Sequence, residues 1–66
     1  MEPKYPNITV NLVGNDGNAM TILGQCTRTA RLNGVPQDET DAFFSEATSG
    51  NYDHLLQTCM RWFDVA

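Results

Sequence analysis

The chain has 66 residues, 41% of them hydrophobic, and its eight Asp and Glu outnumber its four Lys and Arg to give a net charge of −4. A chain of this length builds one small core, which excludes a second domain, and its hydrophobic content excludes a disordered protein. The acidic balance argues against direct binding to the nucleic-acid backbone, which needs clustered cations. No apolar run reaches the roughly 18 residues of a membrane helix, so we expect no membrane contact, no secretory leader and a cytoplasmic location.

The N-terminal part of the sequence predicts an arm followed by a strand. Residues 1–6 contain two prolines and no hydrophobic period, which predicts an extended arm. Residues 7–13 then alternate, with Ile8, Val10 and Leu12 on one side. A period of two with β-branched residues is typical of a half-buried strand, so we expect the folded domain to begin at residue 7 and to cover 7–66.

The segment 14–18 is rich in Gly, Asn and Asp and allows two interpretations. In one, Asp16 and Gly17 form a hairpin turn that leads to a returning strand over 19–23. In the other, Asn18 caps the N-terminus of a helix. The apolar residues that follow are spaced by three and four positions, which favours the helix.

Three helices follow in the predicted order. The first covers 18–33, and Gly24 in its interior is expected to mark close packing of the helix against the strand. The second covers 36–48, with a proline at its first helical position and carboxylates in its first turn. The third opens at Asn51. Residues 61–65 allow two interpretations, either the end of this helix or a short strand beside the first one, and the second is slightly favoured because a lone strand has unpaired edges.

These elements predict a small α+β domain: an N-terminal strand, three helices and, in the favoured alternative, a short C-terminal strand. Cys26 and Cys59 both lie in apolar helical patterns, so we expect buried thiols rather than a disulfide. Two Cys and one His are too few for a zinc site, and no cofactor is expected. Since a core this thin usually needs a further constraint, we expect a homodimer or a larger assembly.

The distribution of nucleophiles and bases argues against an enzyme. His54 is the only histidine, so it would have to serve any Ser-His-Asp or Cys-His mechanism. Its neighbour Asp53 points about 100° away on a helix, and Cys59, five positions later, lies off the shared face. The simpler interpretation is a partly exposed histidine in the first turn of a helix.

A binding site for a small anion has more support. The Gly-rich turn before a helix exposes backbone N–H groups that bind phosphate well, and a second such start lies at 49–52. Arginines and aromatic side chains near these starts would complete a nucleotide site. The candidate ligand-binding residues are Asn15, Asp16, Gly17, Asn18, Arg28, Arg31, Tyr52, His54, Arg61 and Trp62.

Each of these candidates also has a simpler role. Asn, Asp and Gly dominate turns for reasons unrelated to ligands. Arg28 and Arg31, three positions apart on one helix face, are expected to pair with surface carboxylates. Trp62 is expected to pack in the core or at an interface.

The sequence resembles a family of small uncharacterised proteins from bacteriophages, prophages and bacterial genomes, over nearly the whole chain from Asn7 to Val65. The resemblance lies in the segments NITVNL (7–12), DGNA (16–19), ILG (22–24), GVP (34–36), EATSG (46–50), YDHLLQT (52–58) and MRW (60–62). The chain departs from the family pattern at Thr27 and Thr29, where the family has basic residues, and at Thr40, where it has an aliphatic one.

The resemblance implies a role against host defences inside the bacterial cell. One expected function is a sponge that binds and sequesters a nucleotide immune signal, such as a cyclic nucleotide or an ADP-ribose derivative, without turnover. The alternatives are an acidic, anti-CRISPR-like inhibitor that binds a host defence protein, and a stand-alone structural module.

Overall fold

The computed structural model describes residues 2–12 and 18–66. In chain order, the described residues form the strand β1 (Tyr5–Val10), the helices α1 (Ala19–Leu32), α2 (Gln37–Ala47) and α3 (Tyr52–Trp62), and the strand β2 (Phe63–Val65). This arrangement confirms the predicted small α+β fold with a short C-terminal strand. Among the described residues, no helix is long and apolar enough to cross a membrane.

The strand β1 begins at Tyr5, two residues earlier than predicted, so Tyr5 and Pro6 belong to the strand rather than to the expected arm. The reason is a long-range pairing that no local pattern reveals, because Tyr5 pairs with Phe63 of β2. Pro6 is tolerated because it lies in an irregular stretch of the register between Tyr5 and Thr9. The strand ends at Val10, before the predicted end at residue 13, which lies outside the described residues.

The two strands pair in parallel, and all three helices lie in the connection between them. Parallel strands need such a long crossover because their ends cannot be joined by a tight turn. Thr9 pairs with Asp64, and its hydroxyl donates a hydrogen bond to Asp64 Oδ2 at 3.1 Å. For residues 61–65, the helix α3 runs to Trp62 and the strand starts at Phe63, so each of the two interpretations is correct for part of the segment.

The helix α1 is confirmed. It includes residues 19–23, so the returning strand that the hairpin interpretation required there is wrong, whereas residues 14–17 lie outside the described residues. Asn18 caps this helix, since its Oδ1 accepts the backbone N–H of Met20 at 2.8 Å. At the other end, Gly34 has a φ of +82°, and the N–H of Val35 bonds to the carbonyl of Ala30 at 3.0 Å. This is a Schellman ending, in which glycine adopts the left-handed conformation without strain.

The starts of α2 and α3 differ in how their free N–H groups are satisfied. Pro36 is the N-cap residue of α2 rather than its first helical residue, and Asp38 and Glu39 in the first turn face the positive end of the helix dipole. Asn51 caps α3 by accepting the N–H of His54 at 2.9 Å. Both helices therefore begin where the sequence predicts, within one residue.

Phe43 of α2 lies at the centre of the core and is fully buried. Its ring meets the rings of Trp62 and Phe63 edge-on, with centroid separations of 5.6 and 5.2 Å. Tyr5 stacks on the same two rings from the side of β1. The other buried hydrophobic residues are Ile8, Val10, Ile22, Leu23, Cys26, Ala30, Val35, Ala47, Leu55 and Cys59.

The expectation for Gly24 is wrong, and among the described glycines the closely packed one is Gly50. Gly24 lies on the solvent side of α1, and a Cβ atom built there has no neighbouring atom within 4 Å. A Cβ atom at Gly50 would lie 2.7 Å from Cγ of His54. Since Cγ is held close to the backbone of α3, it cannot move aside as the tip of a long side chain would.

Replacing Phe43 by Ala should destabilise the fold by about 3–5 kcal/mol, because it removes a fully buried ring at the centre of the core. Urea denaturation followed by circular dichroism measures the loss. The neighbouring Phe44 is 42% exposed and provides the control, since Phe44→Ala should cost less than about 1 kcal/mol. Equal losses in the free energy of unfolding for the two variants would show that α2 does not bury Phe43 more deeply than Phe44.

The two glycines should respond to alanine in opposite directions. Gly24→Ala should stabilise the protein by up to about 1 kcal/mol, since it improves helix propensity in open space. Gly50→Ala should lower the thermal midpoint, because its Cβ atom would overlap the ring of His54. Differential scanning calorimetry of both variants tests the pair, and a midpoint for Gly50→Ala at or above that of the parent chain would contradict the packing.

Candidate functional site

All four Lys and Arg residues of the chain line two surface grooves. The first, here called the Lys4 groove, has a volume of about 530 Å³ and runs between the N-terminal segment and α3. The second, here called the Arg28 groove, has a volume of about 450 Å³ and lies at the C-terminal part of α1. The Lys4 groove is lined by Glu2, Lys4, Gln57, Met60 and Arg61, and the Arg28 groove by Arg28, Arg31 and Leu32.

In the Lys4 groove, the ammonium group of Lys4 is already neutralised. It forms an ion pair with Oε1 of Glu39, and its Nζ lies 4.5 Å from the centroid of the Trp62 ring. The same carboxylate accepts a hydrogen bond from the hydroxyl of Tyr5 at 2.9 Å. These bonds from Lys4 and Tyr5 lower the pKa of Glu39, and the bond to Glu39 raises the pKa of Lys4. The contacts of Lys4 and Tyr5 with Glu39 thereby connect the start of β1 to α2.

Arg61, the second cation of this groove, also has partners within the protein. Its Nη2 lies 3.8 Å from Oε2 of Glu46 and donates a hydrogen bond to Oγ1 of Thr58 at 3.2 Å. Oε2 of Glu46 also accepts the indole N–H of Trp62 at 2.9 Å. Only 9% of Trp62 is exposed, so most of its ring faces the core rather than the groove.

In the Arg28 groove, neither guanidinium group forms an ion pair with a described residue. Arg28 and Arg31 lie three positions apart on an exposed face of α1, where their side chains are neighbours. The expected pairing with carboxylates is therefore not found among the described residues. Leu32, which is 78% exposed, places an apolar surface beside the two cations.

His54 joins the end of α2 to the start of α3. Its Nε2 lies 2.9 Å from the carbonyl oxygen of Glu46 and 3.2 Å from Oγ of Ser49, and its own carbonyl accepts the hydroxyl of Thr58. Cys59, by contrast, is fully buried in the core. Nε2 of His54 therefore bonds to groups at the end of α2 and in the following turn, so this side chain stabilises the connection between the two helices.

The other described candidates, Asn18, Tyr52, His54 and Trp62, line neither groove. Tyr52 begins α3 and is 44% exposed, whereas the side chain of Asn18 is used in capping α1. The residues Asn15, Asp16 and Gly17 lie outside the described residues. Of the ten candidates, the structure brings Arg28 and Arg31 together in one groove and places Arg61 in the other.

The sequence pattern indicated neither Lys4 nor Leu32 as a groove residue, and it did not indicate Glu2, Gln57 or Met60. Lys4 fell in the expected arm, and its position beside Arg61 depends on the backbone hydrogen bond from Lys4 N–H to the carbonyl of Arg61 at 2.9 Å. No local pattern signals a contact between residues so far apart in the sequence. Leu32 could have been identified from the sequence, since the helical period places this apolar residue, next to Arg31, outside the buried face of α1.

Comparison with protein-family models, with curated proteins and with solved structures finds no match for this chain. Among the described residues, no group of three or more His, Cys, Asp or Glu is placed to hold a metal ion. The features of the described residues that bear on function are therefore the two grooves and the charges that line them.

The Glu39 interactions should make part of the stability depend on pH. Because folding lowers the pKa of Glu39 below its ordinary value of 4.5, its contribution is present above that value and is lost as the pH falls through the folded-state pKa. The urea midpoint of the parent chain should thus exceed that of Glu39→Gln at neutral pH, and the difference should shrink in acid.

Asp38→Asn is the matched control, since it removes one charge from the same helical turn without breaking the bonds to Lys4 and Tyr5. It should show a smaller pH-dependent difference from the parent chain. A Glu39→Gln difference that stays constant from neutral pH into acid would contradict the assigned role of the carboxylate.

Proposed function

We propose that the protein binds a small phosphate-bearing ligand of the nucleotide class in the Arg28 groove and holds it without chemical conversion. The observation that carries the proposal is the pair of guanidinium groups on α1, which share one exposed face and form no ion pair with a described residue. Acidic residues outnumber basic ones in this chain, so it is unexpected for a plain surface that Arg28 and Arg31 have no carboxylate partner among the described residues.

The electrostatics of the pair favour a bound anion. Like charges three positions apart on a helix repel each other, which costs a few tenths of a kcal/mol. An anion placed between Arg28 and Arg31 would replace this repulsion with two attractive contacts. Phosphate is the natural choice, because the planar guanidinium fork donates two parallel hydrogen bonds to its oxygens.

The size and composition of the Arg28 groove support a nucleotide rather than inorganic phosphate alone. Its volume of about 450 Å³ falls in the range of small-molecule sites. Leu32 offers an apolar surface, and a guanidinium group also stacks on flat aromatic rings. A nucleotide supplies both features, since its phosphates match the arginines and its base matches the apolar and planar surfaces.

The lining of the groove supports binding rather than catalysis. A guanidinium group stays protonated at all physiological pH values and so cannot serve as a general base. In the setting implied by the family resemblance, a protein of this kind would sequester a cyclic nucleotide or an ADP-ribose derivative from a host defence pathway. Assembly into a homo-oligomer would multiply the number of grooves per particle.

The inhibitor alternative has less support from the contacts. The helix α2 carries the acidic residues Asp38, Glu39, Asp41 and Glu46, which would form the face for a basic partner. Two of these carboxylates are already used, because Glu39 binds Lys4 and Glu46 lies near Arg61. The charge left for a partner is correspondingly smaller.

The double variant Arg28→Gln with Arg31→Gln should weaken ligand binding on the order of 10- to 100-fold, because it removes charge-assisted hydrogen bonds. Isothermal titration with ADP-ribose, cyclic di-AMP and orthophosphate as probes measures the effect. Native mass spectrometry of the same samples reports bound mass and oligomeric state together. The parent chain should bind at least one of the two nucleotides more tightly than orthophosphate.

Lys4→Gln with Arg61→Gln is the matched control, since it removes the same number of positive charges from the other groove. This variant should keep the affinity of the parent chain. Equal weakening by both double variants would point to non-specific attraction of anions. If neither nucleotide binds the parent chain, the proposal is wrong for these ligand classes and a basic protein partner becomes the better hypothesis.

A further inference from the structure

The two cysteines meet in the core between α1 and α3. Both Cys26 and Cys59 are fully buried, and their sulfur atoms lie 3.5 Å apart, with the thiol of Cys26 donating a hydrogen bond to Cys59. A disulfide bond is about 2.05 Å long, so the two sulfurs would need to approach by roughly 1.5 Å. The two thiols are already in contact, since each sulfur is the other's hydrogen-bond partner.

We propose that Cys26 and Cys59 form an oxidation site, at which hydrogen peroxide converts the two thiols into an intramolecular disulfide that joins α1 to α3. The proposal concerns this chain's covalent state and does not depend on the ligand of the Arg28 groove. The thiols are free in the structure described above, so the disulfide is a second state of the protein.

The hydrogen bond between the thiols sets the order of the two steps. It lowers the pKa of Cys59, which receives the proton, and raises the pKa of Cys26, which donates it. As the acceptor of this hydrogen bond, Cys59 is the better placed of the two to react as the thiolate. Its thiolate sulfur attacks one oxygen of the peroxide, the O–O bond breaks, and the second oxygen leaves as hydroxide that takes up a proton to give water.

The sulfenic acid formed on Cys59 then has its second reactant in contact. The sulfur of Cys26 attacks the sulfur of Cys59, the S–O bond breaks, and the oxygen leaves as water with the proton of the Cys26 thiol. In sum, two thiols and one peroxide give one disulfide and two waters. The two sulfurs are oxidised together by two electrons, and the peroxide is reduced by two.

Burial decides which oxidants reach the pair and which product forms. Both side chains have no exposed surface, so a bulky disulfide such as oxidised glutathione is excluded while the fold is intact. Peroxide, which is close to water in size, enters during local opening of the helices. A second protein chain cannot reach the buried sulfenic acid, so the intramolecular disulfide is favoured over a cross-linked dimer.

The disulfide should stabilise the protein. It closes a loop between residues that are 33 positions apart, which lowers the conformational entropy of the unfolded chain. For a domain of this size we expect the thermal midpoint to rise by about 10 °C. Peroxide would therefore make the fold more resistant to heat, whereas surface oxidation usually does not.

The experiment treats the reduced 66-residue chain with hydrogen peroxide and follows its intact mass. We expect the loss of two hydrogen atoms per chain, no labelling by N-ethylmaleimide under denaturing conditions, and a higher thermal midpoint that dithiothreitol reverses. Oxidised glutathione at the same concentration should act far more slowly. Peptide mapping should recover one cross-linked peptide that contains both cysteines.

The single variants Cys26→Ala and Cys59→Ala provide the controls. Each should give a sulfenic or sulfinic product in place of the disulfide, and neither should gain thermal stability. Retention of two free thiols by the treated parent chain would overturn the proposal, as would a disulfide that links two chains. A disulfide that lowers the thermal midpoint would show that the folded core does not accommodate the bond. The mass, thiol labelling and thermal midpoint are all measured on the parent chain, so they decide whether the disulfide forms even if a variant fails to fold.

Discussion

The parallel pairing of β1 with β2 is the constraint on which the rest of the fold depends. It holds the first and last elements of the described chain side by side, so the three helices must fill the crossover between them. The change from helix to strand at Phe63 is part of the same arrangement, since it directs Trp62 and Phe63 onto Tyr5 and Phe43. The aromatic core and the short sheet therefore share residues, since Tyr5 and Phe63 belong to both.

This arrangement also separates the charges of the molecule into two chemical environments. The N-terminal segment lies against α3, which brings Lys4 to Glu39 and leaves Arg61 near Glu46. The cations near the sheet are thereby used to hold the fold. The C-terminal part of α1 lies away from these carboxylates, so Arg28 and Arg31 are left without a partner among the described residues. The division follows from topology, because the spacing of Arg28 and Arg31 predicts their shared face but not the lack of a described carboxylate beside them.

Most of the fold could be predicted because its local signals are strong. Asn18, Asn51 and Gly34 mark helix ends by mechanisms that involve only neighbouring residues, and the structure uses all three in this way. The errors occur where distant contacts decide. Tyr5 joins a strand because Phe63 lies opposite, and Gly24 is exposed although its helix is half buried. The candidate site was predictable in part, since the spacing of Arg28 and Arg31 predicts a shared face, but the absence of a described carboxylate near them is a property of the assembled chain.

The position of Trp62 has a consequence for spectroscopy. It is the only tryptophan in the chain, so fluorescence excited at the long-wavelength edge of the protein's absorption band comes from this one side chain. The indole lies between the ammonium group of Lys4 and the carboxylate of Glu46, with its N–H bonded to the latter. The wavelength of its emission maximum therefore depends on the electric field of these two charges as well as on the burial of the indole ring. Detachment of the N-terminal segment would remove Lys4 from the indole and change that field while the helices are still packed. The fluorescence of Trp62 therefore distinguishes fraying of β1 from global unfolding.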